Sequence, residues 1–155
     1  INCFGNNYTV RDIKKNFSYI FDINNKSGRP RINLIEIEDN FIEQGIEVMP
    51  LKIKHRDWDI FGYRINNFAY ITDCSLIPDE TFNSLYDLDL LILDSLRYSA
   101  HEAHLSVDQA IEISNKLKPK RTVLTHMSSE LKYQDLVSYL PKNIVPGFDG
   151  MSIKI

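Results

Sequence analysis

The spacing of apolar residues changes character along the chain, and the elements it predicts change with it. Over the first forty residues or so the pattern is weakest. There Thr9-Val10-Arg11-Asp12 can cap a short helix, and the apolar stretch Phe17 to Phe21 predicts a strand after it. Asn24-Asn25-Lys26-Ser27-Gly28-Arg29-Pro30 is a turn or loop by composition. From Ile32 strand signals become dense. Ile32, Leu34 and Ile35 lead to a turn at Gln44-Gly45, and the run Val48 to Ile53 follows. Phe61 to Ile65 and Phe68 to Thr72 flank Asn66-Asn67, a two-residue hairpin loop, because asparagine tolerates the positive φ such a loop needs.

The second half alternates strand and helix. Pro78-Asp79-Glu80 opens a short helix reaching about Tyr86, and the aliphatic run Leu88 to Leu93 predicts a buried strand. Ser106-Val107-Asp108-Gln109 is a capping box whose helix puts Val107, Ala110, Ile111, Ser114 and Leu117 on one face, until Pro119 ends it. Thr122 to Thr125 reads as a strand and Lys132 to Leu140 as a helix. Asp149-Gly150 reads as a hairpin turn into a strand from Met151 to Ile155. Strand-rich first and αβ later, the pattern predicts an α/β fold with one mixed sheet, whose core takes in the aromatics Tyr63, Phe68 and Tyr70.

Composition narrows the function classes. A length of 155 residues suits one domain, and 43% hydrophobic with 25% charged residues is ordinary for a globular protein. A net charge of −3 with scattered Lys and Arg gives no footprint for a nucleic-acid groove or an anionic membrane. No apolar run approaches the roughly 20 residues that span a bilayer, and no signal peptide is visible. Cys3 and Cys74 make no disulfide framework, which fits a reducing cytoplasm. The chain starts at Ile1 and not at Met, so it is expected to be processed or to be a piece of a longer protein.

The candidate chemistry lies at the ends of the predicted strands. His55 closes the run from Val48, Asp73 follows Phe68 to Thr72, and His126 follows Thr122 to Thr125. Imidazoles and a carboxylate delivered from several strand ends can build a metal site at one rim of a sheet. One carboxylate has two oxygens and can bridge two cations about 3.5–4 Å apart, and neutral imidazoles suit zinc, with manganese or iron as alternatives. The ordinary alternative is a histidine bonded to a backbone carbonyl and an Asp that starts a turn. His101 and His104 lie in a loop before the capping box, where a histidine near a hydrolytic metal can protonate a leaving group, although for His101 a plain polar turn is the better reading. Asp94 can orient a ligand imidazole or simply accept backbone amides. Asp149 reads as turn chemistry, Cys74 as a small buried hydrophobe, and Trp58 as lining a loop near His55.

Several separate pieces together resemble the C-terminal half of a metallo-β-lactamase-fold hydrolase, nearest to the phosphoribosyl cyclic phosphodiesterase-like group. They are Met49-Pro50-Leu51 through His55, Gly62-Tyr63-Arg64-Ile65, Ala69 to Asp73, Leu91 to Asp94, His101 to Ser106, Leu124 to Ser128, and Phe148-Asp149-Gly150. The resemblance implies an αββα sandwich, of which residues 1–155 are the C-terminal part of a single domain. It implies that His55 binds one of two divalent metal ions, Asp73 bridges them and His126 binds the other, while His104 serves the reaction and not the metal. The metals would be zinc, with manganese as the alternative, and a metal-bound hydroxide would attack a small cyclic or nucleotide-like phosphate ester. The family's main motif, H-x-H-x-D-H, occurs nowhere in the sequence. The isolated chain is therefore expected to be inactive, and a lone half would favour association, for example as a homodimer. Ser129 stands where many relatives carry a further histidine. Two rival readings remain open, a ribonuclease Z-like nuclease and a non-catalytic truncated fragment. Met127-Ser128-Ser129-Glu130 lacks the Arg-Tyr ending expected of such nucleases.

Overall fold

The computed structural model describes residues 1–22 and 31–154, so the loop expected from Asn24 to Pro30 lies outside the described residues. The chain divides into two units, Ile1–Phe41 and Ile42–Ile155. In the first, β1 (Asn2–Gly5) pairs in parallel with β2 (Asn33–Glu36), and between them run α1 (Asn7–Asn16) and α2 (Ser18–Phe21). Asn6 caps α1 by accepting the Thr9 N–H on its side chain, and Lys14 and Lys15 in the last turn face the negative end of the helix dipole. The strand expected from Phe17 to Phe21 is a short helix instead. A brief apolar run does not separate strand from helix, and Phe17 and Tyr19 are exposed rather than packed in a sheet.

The second unit is built on a seven-stranded sheet whose strands lie side by side in chain order. They are β3 (Phe41–Glu43), β4 (Ile46–His55), β5 (Trp58–Ile65), β6 (Phe68–Ile71), β7 (Leu90–Asp94), β8 (Arg121–Thr125) and β9 (Ile144–Pro146). Tight turns join the early strands, with positive φ at Gln44, Gly45, Arg56 and Asn66. β4, β5 and β6 pair antiparallel, whereas β6 to β9 pair in parallel. The parallel part needs crossovers, which α3 (Asp79–Asn83), α4 (Val107–Leu117) and α5 (Tyr133–Tyr139) supply. Asp149-Gly150 does form a turn, with Gly150 at φ 83°, but residues 151–154 are not a strand. The edge position beside β8 is taken by β9 in parallel register, Val145 opposite Val123.

One sheet face carries Leu51, Ile53, Ala69, Ile71, Leu91, Leu93, Leu124 and Ile144, all buried. Ala110 and Leu117 of α4 pack into the same core with Leu105, so the amphipathic stripe read from the sequence is the face that docks. Gly62 allows β5 and β6 to approach, since a Cβ there would stand 2.9 Å from the Tyr70 carbonyl oxygen. Tyr63 and Tyr70 face each other across β5 and β6, in alternation with the buried positions. The aromatics expected in the core thus point to the opposite face, where Tyr70 is exposed.

Candidate metal centre

The register decides where the strand-end residues go. β4 and β6 both run antiparallel to β5, so they share a direction, and β7 and β8 run parallel to β6. The C-terminal ends of β4, β6, β7 and β8 therefore lie on one rim. That rim receives His55 from β4, Asp73 just past β6, Asp94 from β7 and His126 just past β8. The loop before α4 adds His101 and His104.

The side chains meet there. His126 Nε2 lies 3.5 Å from Asp73 Oδ1. The His104 ring sits between two others, with its centroid 4.9 Å from that of His55 and 4.7 Å from that of His126, the latter pair stacked. Ligand atoms of His55, Asp73 and His104 lie within 4.8 Å of one another, and so do those of Asp94, His104 and His126. Asp73 and His126 adopt positive φ, 55° and 61°, a region that Asp and His enter more readily than most residues. These turns swing both side chains back over the rim.

Neighbouring backbone fixes the nitrogens. His55 Nδ1 stands 3.1 Å from the Ala103 carbonyl oxygen, which can only accept, so Nδ1 carries the proton and Nε2 keeps its lone pair for a metal. The loop that supplies Ala103 is itself pinned, because Arg97 donates to the Ala100 carbonyl at 2.8 Å and Asp94 Oδ2 accepts the Leu105 N–H at 2.9 Å. His101 behaves as turn chemistry in that its Nδ1 accepts the Ala103 N–H at 3.1 Å.

Burial sets the electrostatics. It lifts the fully buried Asp94 carboxyl to about 6 against the pull of the Leu105 N–H. Burial, and then the neighbouring His126 and His55, hold the His104 imidazole below its ordinary value, which favours the neutral ring that a cation or a proton donor would meet. Cys74, buried beside Asp73, has its thiol pushed up to about 12 by burial and is packing, not chemistry. Trp58 lies opposite His55 in the β4–β5 register and is largely exposed. A cleft of about 410 Å³ borders His126 and is lined by Tyr70, Val123, Met127, Phe148 and Asp149 among others, a size that suits a small organic ligand.

The donor set fits one divalent cation: neutral imidazoles and carboxylates within a few ångströms, one of the imidazoles already held by a backbone acceptor. Two fully ligated cations need more donors than these residues offer. Sequence reasoning gathered His55, Asp73, His104 and His126 but gave Asp94 a smaller part. Its position straight after an aliphatic strand was the available signal.

The fold and site together define the class. The family described as the beta-lactamase superfamily domain matches residues 1–127, and the chain belongs to that family. Its α/β architecture is the metallo-β-lactamase fold. A crystal structure of a diphosphatase from the PhnP family superposes with a TM-score of 0.89 at 32% identity, covering 97% of this chain and 56% of that one. The short form of human tRNase Z gives 0.68 at 19% identity, covering 100% of this chain and 68% of that chain, and at that identity shares the fold alone. A Porphyromonas gingivalis (strain ATCC BAA-308 / W83) protein named octanoyltransferase is 32% identical over 143 residues, 90% of this chain but 29% of its own length. The chain thus spans less than a third of that relative and a little over half of the diphosphatase. Among the described residues no helix is long and apolar enough to cross a membrane.

Proposed function

We propose that the chain is the site-bearing part of a metal-dependent phosphodiesterase that hydrolyses a small cyclic or nucleotide-like phosphate ester. The observation that carries this reading is the convergence of His55, Asp73, His104 and His126 on one rim. The 32% identity to a PhnP-family diphosphatase supports it. His55, Asp73 and His126 would hold a divalent metal, zinc or manganese. Bound there, divalent cations supply Lewis acidity, which activates water and neutralises charge developing on the phosphoryl oxygens.

The chain's own part is positioning and proton transfer. The cleft beside His126 accepts the organic part of the ester. His104, having taken a proton from solvent on Nε2, gives it to the leaving-group oxygen as the P–O bond breaks and so returns to the neutral ring. Solvent returns a proton to Nε2 afterwards. Because no H-x-H-x-D-H run occurs in these 155 residues, donors that complete the coordination come from elsewhere in the protein or from a partner. The net charge of −3 weighs against an RNA substrate, as does the absence of Arg-Tyr after His126-Met127-Ser128.

The test is hydrolysis, by the zinc- or manganese-loaded protein with its completing donors present and not by these 155 residues alone, of bis(p-nitrophenyl) phosphate, a cyclic nucleotide and a structured RNA. Metal-dependent turnover of the two small diesters is expected, with little cleavage of RNA. No diester turnover in a metal-replete protein, or a clear preference for RNA, would overturn the reading.

A further inference from the structure

We infer that Asp94 is a positioning residue that locks His104 as the Nδ1–H tautomer and leaves the His104 Nε2 lone pair open to the site. Asp94 ends β7 in the middle of the sheet and is fully buried. Its two oxygens already serve the backbone. Oδ1 accepts the Asp73 N–H at 3.1 Å, and Oδ2 accepts the Leu105 N–H at 2.9 Å. One carboxylate thus ties down both the turn that presents Asp73 and the loop end that presents His104.

The third neighbour is His104 itself. Its Nδ1 is buried, has no hydrogen-bond partner among the described residues, and lies 3.5 Å from Asp94 Oδ1. Closing that gap by a few tenths of an ångström makes a charge-assisted hydrogen bond of ordinary length. An ionised carboxylate only accepts, so the ring nitrogen facing it must hold the proton. The opposite tautomer would set a lone pair against a carboxylate oxygen in a buried place, where that repulsion is costly. Ring contacts with His55 and His126 on either side restrict rotation of the imidazole. Nε2 is then the nitrogen free to take a proton from solvent or to face a phosphoryl oxygen. The role does not depend on which ester is hydrolysed.

The test is long-range ¹⁵N–¹H correlation of the histidine rings in the metal-free 155-residue chain at neutral pH. The expected result for His104 is a proton on Nδ1, in slow exchange with solvent, and a bare Nε2. A His104 proton on Nε2, or an even mixture of tautomers, would overturn the inference. Asp94→Asn, with the fold checked by its amide spectrum, separates positioning from a purely structural role. Replacing a charged acceptor by a neutral amide should lower the ratio of Nδ1–H to Nε2–H by roughly fivefold or more. An unchanged ratio in the folded variant would show that something other than Asp94 sets the tautomer. Should the variant not fold, the exchange rate and position of the His104 proton in the wild-type chain decide alone.

Discussion

Asp73, His104 and His126 lie within a few ångströms of one another, and the roles proposed for them, ligand for Asp73 and His126 and proton donor for His104, should separate on substitution. A ligand that is lost takes metal with it, whereas a proton donor acts mainly in the transition state. In the complete protein, Asp73→Ala and His126→Ala should lower both metal content and turnover. His104→Ala should keep near-normal metal while kcat falls by about 10²–10⁴-fold. Metal analysis beside steady-state kinetics checks the contrast, and an emptied site in His104→Ala would make that residue a ligand. Cys74 offers a simpler test of the packing around Asp73. Fully buried and held as a thiol, it should resist alkylation in the native chain and react only on unfolding, while partly exposed Cys3 reacts freely. Mass spectrometry of the alkylated peptides decides it. His55, Asp73 and His126 were legible in the sequence because each closes an apolar run, and His104 because it lies just before the Ser106 capping box. The work of Asp94 was not, nor was that of the Ala103 carbonyl. Their partners lie up to 48 positions away, and only the folded register brings them together.

Among the elements, those with strong local chemistry were legible and those fixed by a neighbour were not. The Ser106 capping box forms as expected, with Ser106 accepting the Gln109 N–H and the Gln109 side chain accepting the Ser106 N–H. The Asn66-Asn67 turn and the aliphatic strands β7 and β8 also stand where periodicity puts them. α2 and β9 do not. Among the described residues Phe17 to Phe21 has no sheet partner to hold it extended, and three residues at 144–146 are too few for a periodic signal, so pairing with β8 alone makes them a strand. Two substitutions probe the elements that place the site. Ser106→Ala should cost about 1 kcal/mol by removing the cap of α4, read as a lower denaturant midpoint at unchanged slope. Gly62→Ala should cost about 1–3 kcal/mol, because its Cβ meets backbone, the Tyr70 carbonyl, and not a side chain that can turn aside. A neutral effect at Gly62 would mean that β5 and β6 separate freely, contrary to the packing that carries Asp73 to the rim.

Over the whole molecule, the aromatic sheet face and the histidine rim bear on different behaviours. Tyr70 and Phe148 are exposed, and Ile92 and Val145 on the same side are only partly buried. Apolar area of this kind favours self-association, so sedimentation velocity should show concentration-dependent assembly of the chain, reduced by Tyr70→Lys. A monodisperse monomer at high concentration would count against the homodimer expected from sequence. The rim carries the central claim, that His55, Asp73 and His126 form a divalent-metal centre. Equilibrium dialysis of the chain against zinc measures it directly, beside His55→Ala, Asp73→Ala and His126→Ala checked for fold by circular dichroism. Wild type should bind zinc, less tightly than a fully ligated centre, and each folded variant should bind it several-fold more weakly. Absence of zinc binding by the wild-type chain, or undiminished binding by the folded variants, would contradict the account.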